Sequence, residues 1–204
     1  QLVRQSVANF IDFFIQSSLV YIDVILLGVL AGATQVGLYQ AAMKIVQGLS
    51  QGISILVNLI LPRITRRMDL SGWSAKDVYL VYLIFMLSGG LLSMGMYFSA
   101  EFVEQELLAG KFYGLSELVG GLSIFLFIRY LGAAGGMLLI ANGDKKIRPV
   151  VMSIAVTLVS ISALYFVGNQ GALGMVYSMV LTYTFIAASL LGCVLIAVRR
   201  RPRF

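Results

Sequence analysis

Gln40, Lys44, Gln47, Gln51, Ser54 and Asn58 recur at helical spacing through a stretch that is otherwise apolar. At about 100° per residue they fall within roughly 80° of one another on a helical wheel. The stretch that holds them, 37–61, is long enough to cross a bilayer at about 1.5 Å per residue. In hydrocarbon an unpartnered lysine or a row of amides is costly, so such a face has to look into protein or a water-filled cavity. The chemistry on offer is the binding or passage of something polar inside a membrane.

A second polar row precedes it. Gln5, Asn9, Asp12, Gln16 and Asp23 fall within roughly 60° of one another. A carboxylate inside an apolar span marks an ion pathway, a proton relay or a paired charge. Asp12 and Asp23 are about three turns apart, too far to form one site alone. The short connection 31–36 makes these two helices antiparallel neighbours, with Asp23 and Lys44 at similar depth in the outer half. An Asp23–Lys44 ion pair is the expected contact, serving either a polar interior or plain adhesion between helices. Further on, Arg129 shares a face with Gly121, Phe125, Gly132 and Gly136. The glycines leave room beside a guanidinium, which offers bidentate contacts to phosphate. The competing expectation is close packing through Gly132-x-x-x-Gly136, with Arg129 paired to Asp12 or Asp23. Small residues in 78–100 (Ser88, Gly89, Gly90, Ser93, Gly95) and hydroxyls beyond residue 150 read as packing positions.

The elements that must hold these residues follow from composition. Charged residues make up 12% of the 204-residue chain, where a soluble domain carries about 25%, and the mean hydropathy is +0.93. An all-α integral membrane protein is expected, with six spans at about 7–30, 37–61, 78–100, 117–141, 150–168 and 171–198. Gly168-Asn169-Gln170-Gly171 separates the last two as a tight hairpin. Twelve of the fifteen Lys and Arg residues fall into the N-terminus, the even-numbered connections and the C-terminus, which puts both termini in the cytoplasm. The net charge of +6 is thereby explained by topology, and no nucleic-acid partner is expected. A lone cysteine excludes a disulfide framework, and the absence of histidine removes the commonest general base and metal ligand. No phosphate loop, dinucleotide fingerprint, metal spacing or serine nucleophile motif occurs, so no enzyme and no cofactor are expected. The chain opens at Gln1 and is read as part of a longer reading frame.

Five short segments, in three groups, carry a resemblance. Asp23-Val-Ile-Leu-Leu-Gly28 is followed by Val36-Gly37-Leu38-Tyr39-Gln40-Ala41-Ala42 and by Leu61-Pro62-Arg63. Leu108-Ala-Gly-Lys-Phe-Tyr113 and Leu138-Leu-Ile-Ala-Asn-Gly-Asp-Lys-Lys146 come next, in order. The series resembles the C-terminal half of bacterial polysaccharide and O-antigen repeat-unit flippases of the multidrug/oligosaccharidyl-lipid/polysaccharide exporter superfamily. The resemblance implies one six-helix lobe of a two-lobe exporter in the bacterial inner membrane. Such proteins move undecaprenyl-diphosphate-linked oligosaccharides by alternating access, beside membrane lipid and polysaccharide polymerase machinery. On that resemblance Lys44 and Arg129 would meet the diphosphate or acidic sugars. Gln16, Gln40, Gln47, Gln51 and Asn58 would line the cavity and bond sugar hydroxyls. Asp12 or Asp23 would carry a coupling H⁺ or Na⁺. A cation-coupled drug exporter of the same superfamily, or a non-transporting scaffold of a polysaccharide synthesis complex, are the alternatives.

Overall fold

A computed structural model describes residues 21–71, 75–102, 104, 114–144 and 147–200. All five elements are helices: α1 (Tyr21–Ala31), α2 (Ala33–Ser71), α3 (Ala75–Phe102), α4 (Leu115–Ala141) and α5 (Ile147–Arg200). Helices α2 to α5 are each long and apolar enough to cross a membrane, which is compatible with a multi-pass membrane protein. The outer faces agree with that. Leu87, Leu91 and Phe98 on α3 and Ile161, Leu164 and Tyr165 on α5 stand between 62% and 75% exposed, an apolar belt that water would not tolerate. The stretch 7–20, including Asp12 and Gln16, lies outside the described residues.

Two reversals organise the bundle. Gly32 has φ +82°, and one residue on, α2 begins. Asp23 and Tyr39 would sit about 24 Å apart on a straight helix, yet they are hydrogen-bonded, so α1 folds back on α2 as an antiparallel pair. The expected six-residue connection 31–36 is thus reduced to Gly32. The second reversal is inside α5. Gly171 takes φ 57°, ψ −128°, a conformation that L side chains avoid. The Phe166 and Tyr177 rings stand 6.3 Å apart, where a straight helix would separate them by about 16 Å. The 54 residues of α5 are therefore two antiparallel limbs. Gln35 ties the reversals together, its side-chain oxygen accepting the Ala172 N–H at 3.1 Å.

Helix α4 is the hub and packs on α2, α3 and α5. Against α3 it runs antiparallel: Tyr97 meets Gly120, Ser93 Oγ donates to the Ser123 carbonyl at 2.6 Å, Tyr130 lies on Gly89, and Tyr82 on Gly135. Against the second limb of α5 it runs parallel, with Gly121 on Val176 and Gly132 on Ala187. One end of the bundle thus holds Gly32, Gly114 and Gly171. The other holds Arg63, Arg66, Arg67, Lys76 and Arg148, with Arg67 bridging α2 to Asp77 of α3 at 2.8 Å.

Pro62 does not end its helix at the expected span boundary, residue 61. It lies inside α2, which continues to Ser71. A proline has no N–H, so the carbonyl of Asn58, four residues back, loses its helical donor.

Glu104 closes the Gly114 end. Its Oε2 accepts the Ser116 N–H at 2.7 Å and its Oε1 the Gly114 N–H at 3.2 Å, satisfying donors at the start of α4. The Ser116 hydroxyl and N–H hold the Glu104 carboxyl below the ordinary glutamate range. Its contribution to stability is fully present above the unfolded value of about 4.3 and is lost as pH falls through the lower folded value. Amide hydrogen-exchange protection at Gly114–Leu118, taken relative to the intrinsic rate at each pH, should fall on acidification in the wild type and be low at all pH values in Glu104→Ala.

Candidate functional site

A cavity of about 450 Å³ opens between α2, α4 and α5 in the half of the bundle nearer the basic end. Its polar wall is Ser50, Ser54 and Asn58 from α2, Arg129 from α4, and Arg148 and Tyr183 from α5. Ile53, Val57, Met137 and Ile186 supply an apolar remainder. Among the described residues that line it there is no carboxylate. The site is therefore cationic, partly dry and furnished with hydroxyl and amide groups.

Each polar residue is placed by a local feature of sequence. Gly132 and Gly136 let α5 approach α4: Ala187 faces Gly132 at ordinary van der Waals distance, and the Arg148 Nε and Leu190 lie against Gly136. The same two glycines form the cavity wall beside Arg129, so close packing and open space come from one motif. The Arg129 guanidinium lies 5.9 Å from the Phe125 ring centroid, and that ring meets Tyr183 edge-on at 4.7 Å. Those contacts hold the guanidinium at the wall in place of a carboxylate; among the described residues no acid lies within ion-pair distance of Arg129. Ser50 is 7% exposed and its hydroxyl has no hydrogen-bond partner among the described residues. A buried hydroxyl without a partner is costly, and this one borders the cavity beside Arg129.

The expected residues divide into three groups. Arg129 and Asn58 line the cavity. Gln40, Lys44, Gln47 and Gln51 are exposed along the outer half of α2 and are not among its lining residues. Asp12 and Gln16 fall outside the described residues. The expected Asp23–Lys44 ion pair does not form. Asp23 is 1% exposed and accepts the Tyr39 hydroxyl at 2.7 Å through Oδ2 and the Val24 N–H at 2.8 Å through Oδ1. The reason is angular: Tyr39 and Lys44 point roughly 140° apart on α2. Helix α1 packs on the face bearing Tyr39, Ala42 and Val46, all fully buried, and the amide row looks the other way.

Ser50, Arg148, Tyr183 and Tyr39 were not singled out by sequence. Arg148 reads as loop charge beside Lys145 and Lys146. The usable signal was Pro149, which favours the first helical turn and so sets Arg148 at the start of α5 rather than in the loop.

The comparisons decide nothing about kinship. No family model, no curated protein and no solved structure matches this chain.

Proposed function

We propose that this chain is one lobe of a translocase that moves undecaprenyl-diphosphate-linked oligosaccharide repeat units across the bacterial inner membrane during surface polysaccharide assembly. The observation that carries the reading is that Arg129 and Arg148 line one cavity together with Ser54, Asn58 and Tyr183, inside an otherwise apolar bundle. Two guanidiniums suit a multiply charged phosphate headgroup, because each offers planar, bidentate donation. The exposed amides of α2 suit sugar hydroxyls beyond that headgroup, and the Asn58 carbonyl freed by Pro62 adds an acceptor. The loose flippase motifs support the same direction. In this reading the described part of α1 continues residues 7–20 as the first of six spans, the two limbs of α5 are the fifth and sixth, and the basic end faces the cytoplasm.

The reading is tested by complementation. The full reading frame is expressed in a bacterium lacking its own repeat-unit flippase, and surface glycan is scored. Wild type should restore export, and Arg129→Ala with Arg148→Ala should abolish it at equal protein level. Export that survives the double substitution overturns the reading.

A further inference from the structure

Gln35 joins two helices that stand apart where the cavity lies. Its side-chain oxygen accepts the Ala172 N–H at 3.1 Å, and the same oxygen lies 3.0 Å from where a Cβ on Gly171 would stand. Ala172 is 2% exposed, so without this acceptor a buried N–H is orphaned. From this clasp α2 and the second limb of α5 run the same way, toward the basic end. The first cavity-lining residues on the two helices follow further along: Tyr183 about 17 Å from Ala172, and Ser50 about 22 Å from Gln35. There α2, α4 and α5 stand around open space.

Between the clasp and the cavity wall, α2 rests on α4. The Leu49 carbonyl accepts the Tyr130 hydroxyl at 2.9 Å, and Gly52 lies against the same hydroxyl. Leu49 therefore divides α2 into two arms. The outer arm, Gln35 to Leu49, is about 21 Å long, and the inner arm, Leu49 to Asn58, about 14 Å. No proline interrupts either arm, since Pro62 lies beyond Asn58. Helix α1 stiffens the outer arm through the Asp23–Tyr39 bond and through Val36, which lies against Gly28. Close-packed elements move as units between discrete arrangements. A stiff α2 turning about Leu49 moves its two ends in opposite directions.

We propose that α2 is a lever resting on Leu49 that links the Gln35 clasp to the cavity: a closed clasp holds the cavity open at the basic end, and release of the clasp narrows it. The inference rests on the cavity being anion-binding. It adds the element that sets the cavity's width, the residue that holds that element and the sense of the link. An anion seated between Arg129, Arg148 and the inner arm keeps that arm out, and so keeps the clasp shut. The anion therefore binds the clasped state better, which is what a shift of population requires. Linkage is reciprocal, so the closed clasp strengthens anion binding by the same factor. Gln35 is a positioning residue, acting on the cavity through α2 from the far end of the bundle.

The test uses the protein in lipid nanodiscs with sulfate as the probe anion. Spin labels on Ala33→Cys and Gln170→Cys, both exposed beside the clasp, in a Cys193→Ala background, measure the distance between the outer ends. Saturating sulfate should shift that distribution toward its shorter distance, and should leave it unchanged in Arg129→Ala with Arg148→Ala. In calorimetric titration Gln35→Leu, which loses the acceptor, should bind sulfate up to about tenfold more weakly. Gln35→Glu, which keeps an oxygen there, should bind close to wild type. A Gln35→Leu protein that melts earlier yet binds sulfate as wild type does overturns the lever, because Gln35 is then merely structural. Sulfate that binds with the outer distance unmoved or lengthened also overturns the lever, and the cavity reading then stands. A wild type that binds no sulfate overturns both. Should Gln35→Leu fail to fold, the distance measured with and without sulfate decides alone.

Discussion

Gly174→Ala is expected to open the α5 hairpin. The backbone of Phe166 and Val167 lies directly over Gly174, with the Val167 nitrogen 2.8 Å from where a Cβ would stand and the Phe166 carbonyl nearer still. These are backbone atoms four and five residues from the turn at Gly171, so no rotamer change can relieve the contact. Overpacking a well-filled site costs about 1–3 kcal/mol when side chains can shift; a backbone collision at a reversal should reach the upper end of that range or exceed it. Thermal unfolding in detergent measures the loss. A cysteine pair at Phe166 and Tyr177, in a Cys193→Ala background, reports the cause: the two rings meet at 6.3 Å between centroids, so a short bifunctional thiol reagent should bridge the pair in the parent and fail in Gly174→Ala. Cross-linking that continues unchanged would mean that the two limbs stay paired and the hairpin absorbs the added methyl group.

How much of this was legible in sequence differs between the frame and the site. The long apolar helices were legible because hydrophobic length is a one-dimensional property. The α5 turn was legible for the same kind of reason, since Gly168-Asn169-Gln170-Gly171 is local turn chemistry. The facing of α1 on α2 was not. A helical wheel gives the angle between Asp23 and its own neighbours, but not which face of α2 will receive it. The amide row looked like the natural partner for a carboxylate, yet the buried face of α2 carries Tyr39, whose hydroxyl satisfies Asp23 without a second desolvated charge. Arg148 was hidden by its company. Two lysines precede it, and charge counting cannot separate a loop cation from one turned along a helix toward Gly136. Ser50 carried no signal at all, since a serine in a span normally bonds its own helix, as Ser88, Ser160 and Ser178 do here.

Substitutions at Gly89 and Gly52 should separate the stability of the bundle from the shape of the cavity. Tyr130 is fully buried between both glycines, and its hydroxyl donates to the Leu49 carbonyl at 2.9 Å. A Cβ at Gly89 would stand 2.6 Å from Tyr130 Cβ and 2.9 Å from Cγ, at the stem of the side chain, where no rotation gives relief. Helix α3 must then move off α4, and Gly89→Ala should cost about 2–3 kcal/mol. A Cβ at Gly52 meets only the far end of the same side chain, the hydroxyl. The ring can swing away, giving up one hydrogen bond worth about 1 kcal/mol. In a Tyr130→Phe background Gly52→Ala should cost little further, because the colliding oxygen and its hydrogen bond are already gone, whereas Gly89→Ala should cost as much there as in the wild type. The functional consequence is selective. Tyr130 is the residue after Arg129, and its contact with Leu49 and Gly52 fixes the distance between the Arg129 wall and the wall carrying Ser50 and Ser54. Gly52→Ala should therefore weaken sulfate binding severalfold while the protein still melts close to wild type, and Gly89→Ala should lower the melting temperature first. Equal effects of the two substitutions on melting and on binding would show that Tyr130 holds the bundle together without setting the width of the cavity.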